Sequence, residues 1–140
     1  MVGRSSAFCD PPMYAISIQS SFIADHALRL PGGALEDRHS HDWPVEVWVT
    51  AQQLDEIETV MDFHPLHAQL DLFLARWRFG YLNSLPPFAD GTGALVISPS
   101  AERVAWAIGQ AVLGMLPAAV KLEKVRVGEA PGCFAEWRHA

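Results

Sequence analysis

The chain has little of what several large function classes require. No apolar run approaches the roughly 18 residues of a membrane-spanning helix, and the opening "MVGRSSAFCDPPMY" holds no apolar core of signal-peptide length. The expectation is a cytoplasmic protein without a membrane partner. Basic residues are scarce, 10 Lys and Arg against 16 Asp and Glu for a formal charge of −6. Nucleic-acid binding rests on neutralising phosphates, so that partner class is excluded as well. Only two cysteines occur, Cys9 and Cys133, in no metal or redox spacing; they read as unrelated reduced thiols. Repeats and low-complexity tracts are lacking too. What is there is a 140-residue chain, half hydrophobic, read as one domain over 1–140 with residues 1–12 as an N-terminal extension.

Hydrophobic periodicity gives the elements. Ile16, Ile18, Ser20, Phe22, Ala24 and His26 share one parity, and a period of two places them on one face of a strand that ends at His26. In "EDRHSHDWPVEVWV" the alternation Val45, Val47, Val49 continues backwards through Trp43 to His41 and His39. "RLPGGALED" between these strands reads as a loop. The period then changes. Leu66, Leu70, Phe73, Leu74 and Trp77 recur at helical spacing, with Asp62 as cap and Pro65 in the first turn. "YLNSLPPFADGTGALVIS" is too rich in Pro and Gly to be regular. A second helix is expected from about Pro99 to Leu116, with Val104, Ile108, Val112 and Met115 as its apolar stripe and Ser98 as its cap. "KVRVGE" and "CFAEWR", divided by Ala130-Pro131-Gly132, close the chain as strands. The order ββααββ implies an α+β fold with two helices on one antiparallel sheet.

Two groups of residues raise chemical questions. A tri-histidine metal site needs three neutral imidazole nitrogens converging on one ion. His39 and His41 share a strand face, and His26 ends a strand that would pair antiparallel to theirs. The alternative reading leaves His26 on an apolar face and the other two solvated in a turn. Glu129 shares the inward parity of Val125 and Val127, and an unpaired buried carboxylate is costly. An arginine such as Arg126 or Arg138 would answer it, as would a strand end emerging into water. So would a ligand offering paired N–H donors.

Several short motifs in order resemble one family, and they span Tyr14 to Arg138. "FIADHAL" and "HSHDW" are similar to the F-x-x-x-H and H-G-H-N-Y motifs of the 6-pyruvoyl-tetrahydropterin synthase family, which includes bacterial 6-carboxytetrahydropterin synthases. "VMDFHPL", "YLNSLPPF", "SPSAERVA" and "VRVGEAPGCFAEWR" resemble its later motifs. The resemblance implies a T-fold, with subunits joined edge to edge into a trimeric barrel and two trimers forming a homo-hexamer. It implies zinc on His26, His39 and His41, a pterin anchored through its 2-amino and N3 positions by Glu129, and a further site carboxylate at Glu102. The chain departs from the family where acid-base groups are expected. Leu35 stands where a cysteine belongs, and Arg78-Phe79 where an Asp-His pair belongs. An apolar side chain cannot shuttle protons. Some relatives use a glutamate instead of the cysteine, which makes Glu36 and Asp37 the candidate catalytic residues, with His64 and His67 as other substitutes for the lost histidine. The leading expectation is a protein that binds a pterin or similar bicyclic ligand and has lost the ordinary synthase reaction. The alternatives are a divergent zinc-dependent pterin synthase or side-chain lyase using Glu36 or Asp37 as base, and a non-catalytic pterin carrier or regulatory protein.

Overall fold

The structure is a computed structural model and describes residues 14–139. The N-terminal extension and Cys9 lie outside the described residues. Strands β1 (Tyr14–His26) and β2 (His39–Ala51) precede helix α1 (Phe63–Leu74), a single 3-10 turn (Leu82–Ser84) and helix α2 (Ala101–Leu113). Strands β3 (Lys121–Ala130) and β4 (Cys133–Arg138) complete the order ββααββ. The sheet runs β1-β2-β3-β4, antiparallel throughout. Among the described residues, no helix is long and apolar enough to cross a membrane.

Strand parity decides the core. Ile18, Phe22, Ala24 and His26 of β1 face Trp43, Val45, Val47 and Val49 of β2 and Val125 and Val127 of β3 under the helices. Each buried Ile, Val or Phe among them contributes about 1.5–3 kcal/mol relative to exposure. Phe22 and Trp43 stack across β1 and β2 with ring centroids 5.8 Å apart. α2 seats Gly109 against Trp137 of β4, so closely that a Cβ there would fall 2.3 Å from the indole.

Asp62 caps α1 as expected, accepting from His64 N–H. The helix ends at Leu74, and Trp77 reaches the core from the turn beyond it. α2 is shorter than its apolar stripe suggests. Its cap is Ser100, whose hydroxyl accepts from Arg103 N–H, not Ser98. Ser98 has another partner, its hydroxyl accepting from Arg29 N–H.

The exposed edge of β1 is partly closed from within the chain. The carbonyls of Gln19, Ser21 and Ile23 accept from His67 Nε2, Arg78 Nη2 and Phe79 N–H, and Asp25 N–H donates to Gly80. This network accounts for His67, which serves the strand edge, while exposed His64 pairs with its helix cap Asp62. Gln19 stands seven residues before His26, about 23 Å along an extended strand. Within one chain His67 therefore lies far from His26.

Candidate metal centre

The ladder between β1 and β2 puts His26 directly opposite His39 and Ala24 opposite His41. With side chains alternating, all three imidazoles project to the helix side at one end of the sheet. Glu129, near the end of β3, turns into the same space. One donor atom from each of His26, His39, His41 and Glu129 lies within 4.8 Å of the others. His26 Nε2 is 3.0 Å from His39 Nε2 and 3.3 Å from Glu129 Oε1, and His41 Nε2 is 3.5 Å from the same carboxylate oxygen. Ligand atoms on a tetrahedral ion bound at 2.0–2.1 Å stand about 3.3–3.4 Å apart, close to these separations.

The protons support the same reading. His26 Nδ1 lies 2.8 Å from the carbonyl of Pro99, and His39 Nδ1 lies 2.8 Å from the carbonyl of Asp37. A carbonyl can only accept, so each Nδ1 carries a hydrogen, and in a neutral ring that leaves the Nε2 lone pair pointing inward. The two Nε2 atoms and the Glu129 carboxylate face one another. His41 Nε2 is buried without a hydrogen-bond partner. Burial, and next the neighbouring His26, push His41 below its ordinary pKa, with Glu129 opposing them; the neutral ring is the ligating form. A divalent cation fits this donor set.

The loop after His26 folds into a narrow hairpin. Leu28 and Glu36 are joined by Glu36 N–H to the Leu28 carbonyl, while Leu28 N–H donates to Glu36 Oε1 at 2.9 Å. Arg29 bridges to Leu35, and the Pro-Gly-Gly turn closes the tip, with Gly32 and Gly33 at φ of 91° and 96°. At the base of this hairpin the Glu36 carboxylate comes 3.8 Å from His39 Nε2. Leu35, in the expected cysteine position, is 47 % exposed. Asp37 is also exposed and offers its carbonyl to His39. Phe79 is 77 % exposed with φ of 62°. Glu102 is exposed in the first turn of α2, three residues beyond Pro99.

Sequence reasoning missed one residue. Asn83, 5 % exposed, accepts from Ala27 N–H at 2.9 Å and donates to the Ala27 carbonyl at 2.7 Å. Ala27 separates His26 from Leu28, so this amide fixes the chain between a histidine of the cluster and the N–H that holds Glu36. The only signal in the sequence is its place in "YLNSLPPF".

A four-stranded antiparallel sheet backed by two helices, with three histidines gathered at one end, defines a T-fold protein with a candidate metal centre. The signature of the family described as 6-pyruvoyl tetrahydropterin synthase matches residues 15–140, and the chain belongs to that family. Solved structures agree in fold. The 6-pyruvoyl tetrahydropterin synthase of Caenorhabditis elegans superposes with a TM-score of 0.69 at 19% identity, covering 94% of this chain and 100% of that one. The Plasmodium vivax enzyme gives 0.73 at 16% identity over 90% and 97% of the two chains. A P. vivax variant with a catalytic glutamate replaced by alanine gives 0.73 at 15% identity, with the same coverage. Among curated protein sequences there is no significant match.

Proposed function

We propose that this protein binds a pterin beside a zinc ion held by His26, His39 and His41, and that Glu36 transfers a proton on the pterin's side chain. The reaction class is that of a carbon–oxygen lyase or side-chain lyase. One observation carries the reading: Glu36 Oε1 is held by Leu28 N–H at 2.9 Å and stands 3.8 Å from His39 Nε2. A carboxylate fixed at the edge of a metal centre is where a general base belongs. Asp37 lacks that placement. Bound zinc would polarise a side-chain hydroxyl or carbonyl oxygen and make the proton on that hydroxyl, or on the carbon beside that carbonyl, easier to remove. Glu36 would receive that proton, Glu129 would hold the pterin ring through paired N–H donors, and Glu102 would border the ring from the start of α2. The P. vivax relative with a catalytic glutamate supports a carboxylate in this role.

Incubation with dihydroneopterin triphosphate tests the proposal. The expected result is a new pterin product that forms with zinc-loaded protein and is lost in Glu36→Gln. Pterin binding without any product would favour the second reading, a binding, carrier or regulatory protein whose synthase chemistry is gone. Leu35 and Phe79, at the positions of the family's relay, are the observation on that side.

We further propose that the working form is a homo-hexamer of two trimeric barrels. β1 and β4 are the sheet's edges, and edge strands invite pairing that barrel closure satisfies. The chain's own caps from Gln19 to Asp25 leave β4 and the start of β1 as the freer stretches. Sedimentation should give six times the chain mass, and a stable monomer at micromolar concentration would refute this.

A further inference from the structure

Trp43 is fully buried and lies against two of the clustered histidines. We propose that Trp43 is a positioning residue for the metal: its indole fixes the orientation of the His41 and His26 rings, and so the strength with which the cluster holds an ion. The proposal rests on the zinc reading above and stands whether or not a pterin binds.

The three imidazoles are oriented by different means. His26 and His39 are each turned by a backbone carbonyl at Nδ1, that of Pro99 and that of Asp37. His41 Nε2 is buried and makes no hydrogen bond, and the His41 ring is packed among other rings. The His26 and His39 centroids lie 4.9 Å and 4.7 Å from it, and the Trp43 centroid lies 5.3 Å from it with the planes 84° apart. Two of these neighbours are metal donors themselves. An indole N–H only donates, so Trp43 can support the ring and cannot ligate beside it.

The strand ladder explains how one indole reaches two histidines. Trp43 stands opposite Phe22, His41 opposite Ala24, and His26 opposite His39. His26 is thus two inward rows from Trp43, yet the two ring centroids are only 4.8 Å apart, with planes at 84°. The row between them holds Ala24, whose single methyl leaves the indole room to cross. Trp43 is fixed in turn. Its Nε1–H donates at 3.2 Å to the carbonyl of Ala24, the residue directly across from His41, and its ring stacks on Phe22 with planes 3° apart.

A partner that orients a metal-bound histidine is usually a hydrogen-bond acceptor, and its loss typically costs about 10–100-fold in metal affinity. For His41 the indole takes that place. Edge-to-face contact between aromatic rings is directional, so it sets the tilt of the imidazole before an ion arrives. Ligands locked by packing in this way need no reordering on binding.

Zinc titrated against a competing chelator, together with cobalt(II) spectra and urea denaturation of the metal-free protein, tests the assignment. Trp43→Leu should bind zinc about tenfold or more weakly than wild type, with altered cobalt bands, because no ring then backs His41. Trp43→Phe keeps a ring in place and should recover most of that loss. Val47→Ala truncates another fully buried residue on the same face of β2; it should lower stability and leave zinc affinity and cobalt bands as in wild type. If Trp43→Leu does not fold, Trp43→Met fills more of the space without a ring and takes its place in the comparison. Wild-type affinity and bands in the ringless variant would overturn the proposal. An equal loss of affinity in Val47→Ala would overturn it too, by showing that the cluster senses only the stability of the core. A wild type that binds no zinc would overturn the zinc reading itself, and this inference with it.

Discussion

Leu35 and Glu36, neighbours in the chain, face opposite ways: Leu35 is 47 % exposed, and Glu36 brings its carboxylate 3.8 Å from His39 Nε2. The residue in the expected cysteine position is therefore not the one beside the histidine cluster. Glu36→Gln keeps the side chain's size and removes its capacity as a base. Turnover of a pterin substrate should fall about 100-fold or more, with zinc content unchanged. Leu35→Ala should stay within about twofold of wild type. Equal loss in both variants would mean that the hairpin matters only as a support.

The contrast between these residues also marks how far the sequence could be read. His26, His39, His41 and Glu129 were legible because each continues the parity of a buried strand face, and that parity is local. Which of the two carboxylates, Glu36 or Asp37, stands beside His39 Nε2 was not. It depends on a hairpin held by distant partners, Asn83 on Ala27 and Ser98 on Arg29. The start of α2 was misplaced for a related reason. Ser98 and Ser100 both precede the apolar stripe, and the tertiary contacts separate them: Ser98 holds Arg29, and the Pro99 carbonyl holds His26. Ser100 is left to cap the helix.

Asn83 makes a sharp prediction because it satisfies both backbone groups of one residue. Asn83→Leu leaves a buried N–H and a buried carbonyl without partners, each costing about 1–3 kcal/mol. Urea denaturation should show a loss of about 2–5 kcal/mol. Asn83→Asp keeps an acceptor for Ala27 N–H but opposes the Ala27 carbonyl, and should fall between. Both should bind zinc more weakly than wild type, because His26 precedes the loosened residue. Wild-type stability in Asn83→Leu would show that water replaces the amide.

Gly109 tests the helix-to-sheet packing away from the site. Its place in α2 would ordinarily favour alanine by about 1 kcal/mol. Here a Cβ would lie 2.3 Å and 2.4 Å from two ring carbons of Trp137, and overpacking of this kind costs about 1–3 kcal/mol. Gly109→Ala should thus lower the melting temperature, against the helix propensity, while zinc binding persists. A raised melting temperature would mean that the Trp137 ring moves aside freely.

The polar side of the sheet carries a titration that can be read apart from the metal. Glu46 accepts from Trp48 Nε1 at 2.6 Å and from Gln19 Nε2 at 2.9 Å. The Trp48 bond is the main cause that holds Glu46 below its usual value of 4.5; burial opposes it, and the Gln19 bond, Arg126 and Lys124 add to it. A carboxyl whose folded pKa is depressed stabilises the fold when ionised. That stability is present above 4.5 and is lost as pH falls through the lower, folded value. Glu46 is partly exposed, so water screens the effect to about 1 kcal/mol. Metal-free protein, kept so by a chelator, avoids interference from the histidines binding zinc. In urea titrations between about pH 6 and pH 3, wild type should lose more stability than Glu46→Gln, and the two curves should converge at the acid end. Parallel curves over that range would show that the Trp48 and Gln19 bonds hold the neutral carboxyl as well as the charged one.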